Sequence, residues 1–528
     1  MSKQIKIQRA LLSVTDKTNI VELAGYLDKI GCEIISTGGT AKVLSEAGIE
    51  YTEISKVTGN PEAFGGRMKT ISFAIESALL YDRERDAEEA ERLGIKPIDL
   101  VVCNLYPFSK YQQAGEPLDT LIHYIDIGGP TMIRAAAKNF ASVAVLTDPA
   151  DYHQFIDELQ QNANCISYAS RKILMAKAFN MTADYDAAIA QSMDAFCDVR
   201  SMRLALTGGK TLRYGENAHQ DAAFFRLKDV PSSLYDINVL NGIELSYNNI
   251  LDLQAAVEAV SGLEDAGCVI VKHNNPCGMA ETGDLQKALE LAWAGDPVSA
   301  FGGIIAFNRD VQVSDVAFLG YADADKSKKK FIEIIAAPAF SAEAISYLSL
   351  QKNLRIVTFS SELLTATQEI RITNNAALLQ SKDSVLYTNL EVKTASPFAV
   401  AEHEALIRFG LAAVRHIKSN AIGLVRKTPE GFLQLIGMGS GQPNRVDSIG
   451  LAVSRAKKNL NTDTLRDQGV FLISDAFFPF EDNVDLAHDE GIAVLVEPGG
   501  SIRDKHVIAR AEEYGMTLIF SGNRHFKH

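Results

Sequence analysis

Over residues 10–47 the chain alternates strand and helix patterns, and this alternation limits its fold more than any other feature. Ala10-Leu11-Leu12-Ser13-Val14 is a strand pattern that breaks at Thr15-Asp16-Lys17-Thr18. Apolar Ile20, Leu23, Ala24, Leu27 and Ile30 then recur at steps of three and four, one face of a helix, and Gly31 closes it. Residues 32–36 read as a second strand, Thr37-Gly38-Gly39-Thr40 as a turn, and residues 41–47 as a second helix. Strands alternating with helices build a parallel sheet covered on both faces. The grammar continues with strands at 99–103 and 142–147 and with a helix begun at Asp126-Ile127-Gly128-Gly129-Pro130, where Pro130 suits the first helical position. A long helix at 171–196 leads out.

The first two strand exits share one logic. Small hydroxyl residues and glycines let backbone N–H groups at a helix start approach a phosphate, and Lys17 adds a point charge. Further on, Thr131, Arg134 and Lys138 share one helix face.

In the second half the stretch CVIVKHNNPCG, residues 268–278, stands out. Val269, Ile270 and Val271 fit a buried strand, and Asn274-Asn275-Pro276-Cys277-Gly278 is turn chemistry that ends it. Lys272 and His273 therefore sit at a strand's C-terminal edge, where open α/β layers bind ligands. A lysine beside an imidazole supplies a charge and a proton acceptor together.

At 528 residues the chain has room for three to four domains. Its 52 basic and 66 acidic residues leave a net charge of -14, which argues against nucleic acid as a partner. The six cysteines are scattered without a CxxC pair, as in a reduced, cytoplasmic protein. The N-terminal sequence lacks a signal-peptide core, and no apolar run is long enough to span a bilayer. A zinc base deaminase needs an HxE pair and a PCxxC, but Pro276-Cys277 is followed by Gly278-Met279-Ala280, so no metal site is expected.

SVTDKT, STGGTAK, GGRMKT, CNLYPF and DIGGPTMIRAAAKN, in this order, resemble the inosine monophosphate (IMP) cyclohydrolase domain of the bifunctional purine biosynthesis proteins. LRYGENAHQ, LNGIELSYNNILDLQAA, VIVKHNNPCG, DPVSAFGGIIAF, HIKSNAIGLV, IGMGSGQPNRV, SDAFFPFEDNV, EPGGSIRD and GNRHFKH resemble the aminoimidazole-carboxamide ribonucleotide (AICAR) transformylase domain of the same family. The resemblance implies an α/β chain: a doubly wound, methylglyoxal-synthase-like domain at 1–199, then two cytidine-deaminase-like subdomains at 200–528. Two faint echoes of an internal repeat accompany it: Lys272-His273-Asn274 beside Lys418-Ser419-Asn420, and Pro297-Val298-Ser299-Ala300-Phe301 beside Ser474-Asp475-Ala476-Phe477-Phe478.

The implied reactions are formyl transfer from 10-formyltetrahydrofolate to AICAR, then dehydrative closure of the formylated product (FAICAR) to IMP. The AICAR amine is a poor nucleophile because its lone pair is delocalised, so a base is needed, for which His273 is the candidate, and the sequence leaves open whether it or Lys272 moves the proton. Lys272 faces the oxyanion and the leaving folate nitrogen, with Asn420 as a third polar group. By motif match Arg213 and Arg524 anchor the phosphate, Arg445 and Phe477 fall in the substrate pocket, Asn483 lies on the folate side, and Tyr214, Gly302 and Glu333 join the substrate-binding positions. For ring closure, proximity does much of the work. Lys69 and Lys138 stabilise and protonate, and Tyr106 and Asp126 relay protons. Ser13, Thr15, Lys17, Thr37, Gly38, Gly39, Thr40, Arg67, Thr70, Asn104 and Gly128 bind the nucleotide.

No tightly bound cofactor is implied, and a monovalent cation is left open. A homodimer is implied because the family's transformylase site draws on both chains. Two departures stand out. Ile71-Ser72-Phe73 and Glu76-Ser77-Ala78 replace the family's histidine and glycine segments with helix-compatible residues, and Asn374-Asn375 occupies a place where glycines are common. The lost histidine prompts one alternative, a nucleotide sensor whose first domain binds without cyclising. A zinc deaminase is the other.

Overall fold

Arg9–Ser13 forms strand β1, and the complete burial of Ala10, Leu11 and Leu12 is what a strand covered on both faces requires. The computed structural model describes residues 4–61, 64, 68–228, 230, 232–364 and 367–528, and the chain divides into two units, Met1–Ala205 and Leu206–His528.

In the first unit β1 is central to a five-stranded sheet with β2 (Glu33–Ser36), β3 (Thr52–Glu53), β4 (Leu100–Cys103) and β5 (Ala144–Leu146). Their order is β3-β2-β1-β4-β5, and every pair is parallel. The alternation of side chains splits the core in two. Ala10 and Leu12 face α1 (Ile20–Lys29), while Leu11 and Val101 face the opposite layer. The order reverses between β1 and β4, which opens a crevice beyond their C-terminal ends.

Three helix starts differ from expectation, at Gly38, Gly128 and Tyr168. Helix α2 is Gly38–Glu46, so the predicted glycine turn is its first turn, and Gly38 has a φ of 56°, where a glycine is unstrained. Residues 71–80, where the family motif is lost, hold α3 (Phe73–Leu80), capped by Ser72, whose hydroxyl accepts the Ile75 N–H at 3.2 Å. Helix α4 is Gly128–Lys138, which makes Pro130 its third residue rather than its first. The exit helix, α5, is Tyr168–Phe196.

The second unit is built on one twelve-stranded sheet. Its first half holds the hairpin β7 (Gly267–Lys272) and β8 (Asn275–Glu281), then β9 (Ile304–Phe307), β10 (Ile334–Ala337) and β11 (Arg355–Thr358). The second half repeats this with β13 (Ile422–Lys427), β14 (Leu433–Gly439), β15 (Val470–Ser474), β16 (Val494–Glu497) and β17 (Thr517–Phe520). Edge strands β6 (Asn238–Asn241) and β12 (Glu391–Val392) complete the order β6-β11-β10-β9-β7-β8-β14-β13-β15-β16-β17-β12. Both halves therefore order their strands alike, as two subdomains of one fold.

The repeat is real, but the echoes read from the sequence are not its register. Lys272-His273-Asn274 closes the first hairpin, whereas Lys418-Ser419-Asn420 precedes the first strand of the second. The true equivalents are Gly278-Met279 and Gly437-Met438. Each glycine lies opposite a register shift, at Ile270/Val271 and at Leu424/Val425. A Cβ on Gly278 would collide with the Ala292 carbonyl of α6 (Leu285–Gly295), and one on Gly437 with the Ala452 carbonyl of α7 (Arg445–Leu460).

The halves meet through antiparallel β8 and β14, with Glu281 opposite Leu433 and Met279 opposite Leu435. That junction decides where the chemistry sits. The edge that ends β7 and begins β9, β10 and β11 in the first half is the edge that ends β15, β16 and β17 in the second.

Candidate active sites

At the first unit's crevice the ends of β1 and β4 are tied together by Asn104. Its Oδ1 accepts the N–H groups of Thr15 at 2.6 Å and Asp16 at 2.9 Å, and its amide donates to the Asp16 carbonyl at 3.1 Å. Ser13 is the last residue of β1. Thr40, in the first turn of α2, bonds both the N–H and the carbonyl of Val14 at 3.0 Å, so β1 and α2 are locked side by side. Thr37 is the buried N-cap residue of α2, while Gly38 and Gly39 are exposed.

Two ammonium groups flank those glycines. Lys69 Nζ lies 3.4 Å from where a Cβ on Gly38 would stand, and Lys17 Nζ 3.9 Å from that of Gly39. Lys17 donates to the Val14 and Thr15 carbonyls, and burial lowers its pKa. Two cations beside a helix N-terminus suit a phosphate.

A few residues on, α4 begins against the same segment. A Cβ on Gly128 would stand 2.7 Å from Thr70 Oγ1. The Asp126 carboxylate accepts the Gly129 N–H at 2.8 Å and also the Tyr106 N–H. Burial pushes the Asp126 pKa up, against the pull of those two donors. The Tyr106 side chain is exposed. Lys138 lies exposed in the last turn of α4, about 15 Å along the axis from Gly128 by helical rise. Arg67 lies outside the described residues. Sequence reasoning missed Tyr185, whose hydroxyl accepts the Asp126 N–H at 2.9 Å and donates to the Tyr124 carbonyl at 2.9 Å.

In the second unit the turn after β7 is shorter than expected. Only His273 and Asn274 form it, both with positive φ, and Asn275-Pro276-Cys277-Gly278 belongs to β8. Lys272 Nζ donates to the carbonyls of Phe301 and Gly302, each at 2.9 Å. His273 is exposed at the tip. Asp252 holds that tip from beneath: it accepts the Asn274 N–H at 2.6 Å and the His273 N–H. Burial raises its pKa, although both bonds lower it. Asp252 sits within the LSYNNILDLQAA motif, which was its only sequence signal.

Asn275 joins the two halves. Its Oδ1 accepts the Lys418 N–H at 3.0 Å and the Ser440 hydroxyl at 2.7 Å. Beyond it, Asn420 Oδ1 accepts from Arg445 Nη2 at 2.9 Å, and Asn420 Nδ2 donates to the Gln442 carbonyl at 2.8 Å. The buried Arg445 also pairs with Asp475 at 2.9 Å and donates to the Phe477 carbonyl at 3.0 Å. Asn483 is buried with its Oδ1 unpartnered among the described residues.

Glu333, at the start of β10, accepts from Asn249 at 2.9 Å and faces Arg355 at 3.7 Å, whose charge Tyr214 also favours. Arg213 and Arg524 are exposed, stacked over Tyr214 at 5.4 Å and Phe526 at 4.8 Å. Among the described residues no group of three or more His, Cys, Asp or Glu is placed to hold a metal ion. Cys277 is buried, and its thiol is pushed up to about 12.

Comparison with known proteins adds names to this geometry. The family model "AICARFT/IMPCHase bienzyme" matches residues 136–455, and "MGS-like domain" matches residues 19–131. The bifunctional purine biosynthesis protein PurH of Persephonella marina is 42% identical, over 99% of this chain and 100% of its own. That of Leuconostoc citreum is 43% identical, over 98% and 100%. Among solved structures, that of ForH is 35% identical, covering 35% of this chain and 98% of its own, with a TM-score of 0.32.

Proposed function

Since the chain belongs to the AICARFT/IMPCHase bienzyme family, we propose a division of its two reactions between its two units. It is a bifunctional enzyme of purine biosynthesis, an AICAR formyltransferase and IMP cyclohydrolase. Formyl transfer is assigned to residues 206–528, with 10-formyltetrahydrofolate as donor. The observation that carries this is the single sheet edge that holds Lys272, His273 and Asn420, across which Asn275 Oδ1 accepts the Lys418 N–H and the Ser440 hydroxyl.

There His273 accepts the proton that the attacking amine loses. The Lys272 ammonium and the Asn420 amide face the tetrahedral oxyanion and the departing folate nitrogen. Arg213, Tyr214, Glu333, Arg445, Phe477 and Arg524 hold the ribonucleotide, and Asn483 faces the folate.

Ring closure is assigned to the first unit. The phosphate takes the α2 N-terminus beside Lys17 and Lys69, which the two flanking ammonium groups support. The carboxamide nitrogen attacks the formyl carbon, and water leaves. Lys69 stabilises the oxyanion, and Asp126 moves protons from a carboxyl group whose burial favours its protonated form. Lys138 enters this proposal through the resemblance alone.

A homodimer and a cytoplasmic setting complete the proposal. The hairpin of Gln368–Thr373 with Ala376–Ser381 leaves Ile372 75% and Leu379 49% exposed on one face, a surface that a second copy would cover. Six free cysteines suit a reducing compartment. No helix among the described residues is long and apolar enough to cross a membrane.

Incubating the protein with AICAR and 10-formyltetrahydrofolate, and separately with FAICAR alone, tests the assignment. IMP should form in both. IMP from FAICAR but none from AICAR and 10-formyltetrahydrofolate would leave the transformylase half unsupported, and no IMP from FAICAR would favour the sensor reading.

A further inference from the structure

Glu497 ends β16, and none of it reaches solvent. Its Oε2 accepts the Phe478 N–H at 2.5 Å, while Oε1 is buried with no hydrogen-bond partner among the described residues. The carbonyl of that same peptide, contributed by Phe477, accepts from Arg445 Nη1 at 3.0 Å. One peptide unit is thus gripped at both polar atoms, its N–H by a carboxyl group and its C=O by a guanidinium. The guanidinium is itself fixed by Asp475 and Asn420, each at 2.9 Å. Phe478 is fully buried and Phe477 half-buried, and the gripped peptide fixes the backbone from which the Phe477 ring projects.

We propose that Glu497 is a positioning residue for formyl transfer: by holding the Phe477–Phe478 peptide against Arg445, it fixes the Phe477 ring in the AICAR pocket. The inference rests on the placement of Phe477 in that pocket.

Three groups act on the Glu497 carboxyl besides its burial. The Phe478 N–H and Arg445, from α7, favour the charge, and Asp504, just beyond the Gly499-Gly500 turn, opposes it. Burial dominates and raises the pKa to about 8. At neutral pH the group is mostly an uncharged acid, which still accepts from the N–H. A glutamine would do the same without titrating.

The test measures KM and kcat for AICAR in Glu497→Ala, Glu497→Gln and Phe477→Ala enzymes, with FAICAR ring closure as the internal control. Glu497→Ala should raise KM about tenfold with kcat nearly unchanged and ring closure intact. Glu497→Gln should match the parent at pH 7 and stay flat to pH 9, while the parent's KM changes above about pH 8. A parental KM in Glu497→Ala, with KM raised in Phe477→Ala, would overturn the inference. An unchanged KM in Phe477→Ala would remove the pocket assignment beneath it. Should Glu497→Ala fail to fold, parallel pH profiles for the parent and Glu497→Gln would overturn the inference.

Discussion

Lys272 Nζ donates to the carbonyl of Gly302 at 2.9 Å, and a Cβ added to Gly302 would stand only 3.0 Å from that same nitrogen. Gly302 also has a φ of 69°, unfavourable for any residue with a side chain. Gly302→Ala should therefore displace the ammonium and lower formyl transfer by about a hundredfold, as misplacements near 1 Å do. Ring closure from FAICAR should not change. Assaying the two half-reactions separately checks this.

In the first unit the equivalent tight spot is Gly129. A Cβ there would meet Leu105 Cδ2 at 2.6 Å and Asp126 Oδ2 at 2.7 Å. Gly129→Ala should slow ring closure by about a hundredfold, so that FAICAR accumulates from AICAR and formyl folate. Chromatography of the reaction mixture would show it.

Asp475 is fully buried and is the charge partner of buried Arg445. Removing one member of such a pair leaves the other charge uncompensated, so Asp475→Ala should cost about 3–5 kcal/mol of stability. Urea unfolding measures it.

Glu497 also predicts a pH dependence of stability. Its pKa rises on folding from 4.5 to about 8, so between those values the folded state holds the extra proton. This group's contribution is fully present below the unfolded value and is lost as pH rises toward about 8, a total of a few kcal/mol. Unfolding titrations should show that decline, and Glu497→Gln should remove this component of it.

Much of this was legible in the sequence because strand exits carry both turn chemistry and function. Thr15, Lys17 and Gly38 were found that way and Asn104 through the family motif that holds it, and the structure brings them to one crevice. The register of the internal repeat was not legible. The lysine-asparagine echoes that suggested it lie at different places in the two halves, whereas the Gly-Met pairs that obey it are fixed by helix approach, which sequence spacing does not reveal. Asp252, Tyr185 and Glu497 were missed because they act on backbone N–H groups 22, 59 and 19 residues away, contacts that the motifs around Asp252 and Glu497 do not reveal. Asn374-Asn375 read as a loop disturbance, yet both adopt positive φ at a two-residue hairpin turn and so do the work of glycines.

Rates of the two half-reactions in Lys272→Ala and Lys69→Ala enzymes test the division of labour most directly. Lys272→Ala should lose formyl transfer and keep FAICAR closure, and Lys69→Ala should do the reverse. Loss of both half-reactions in either folded variant would contradict it.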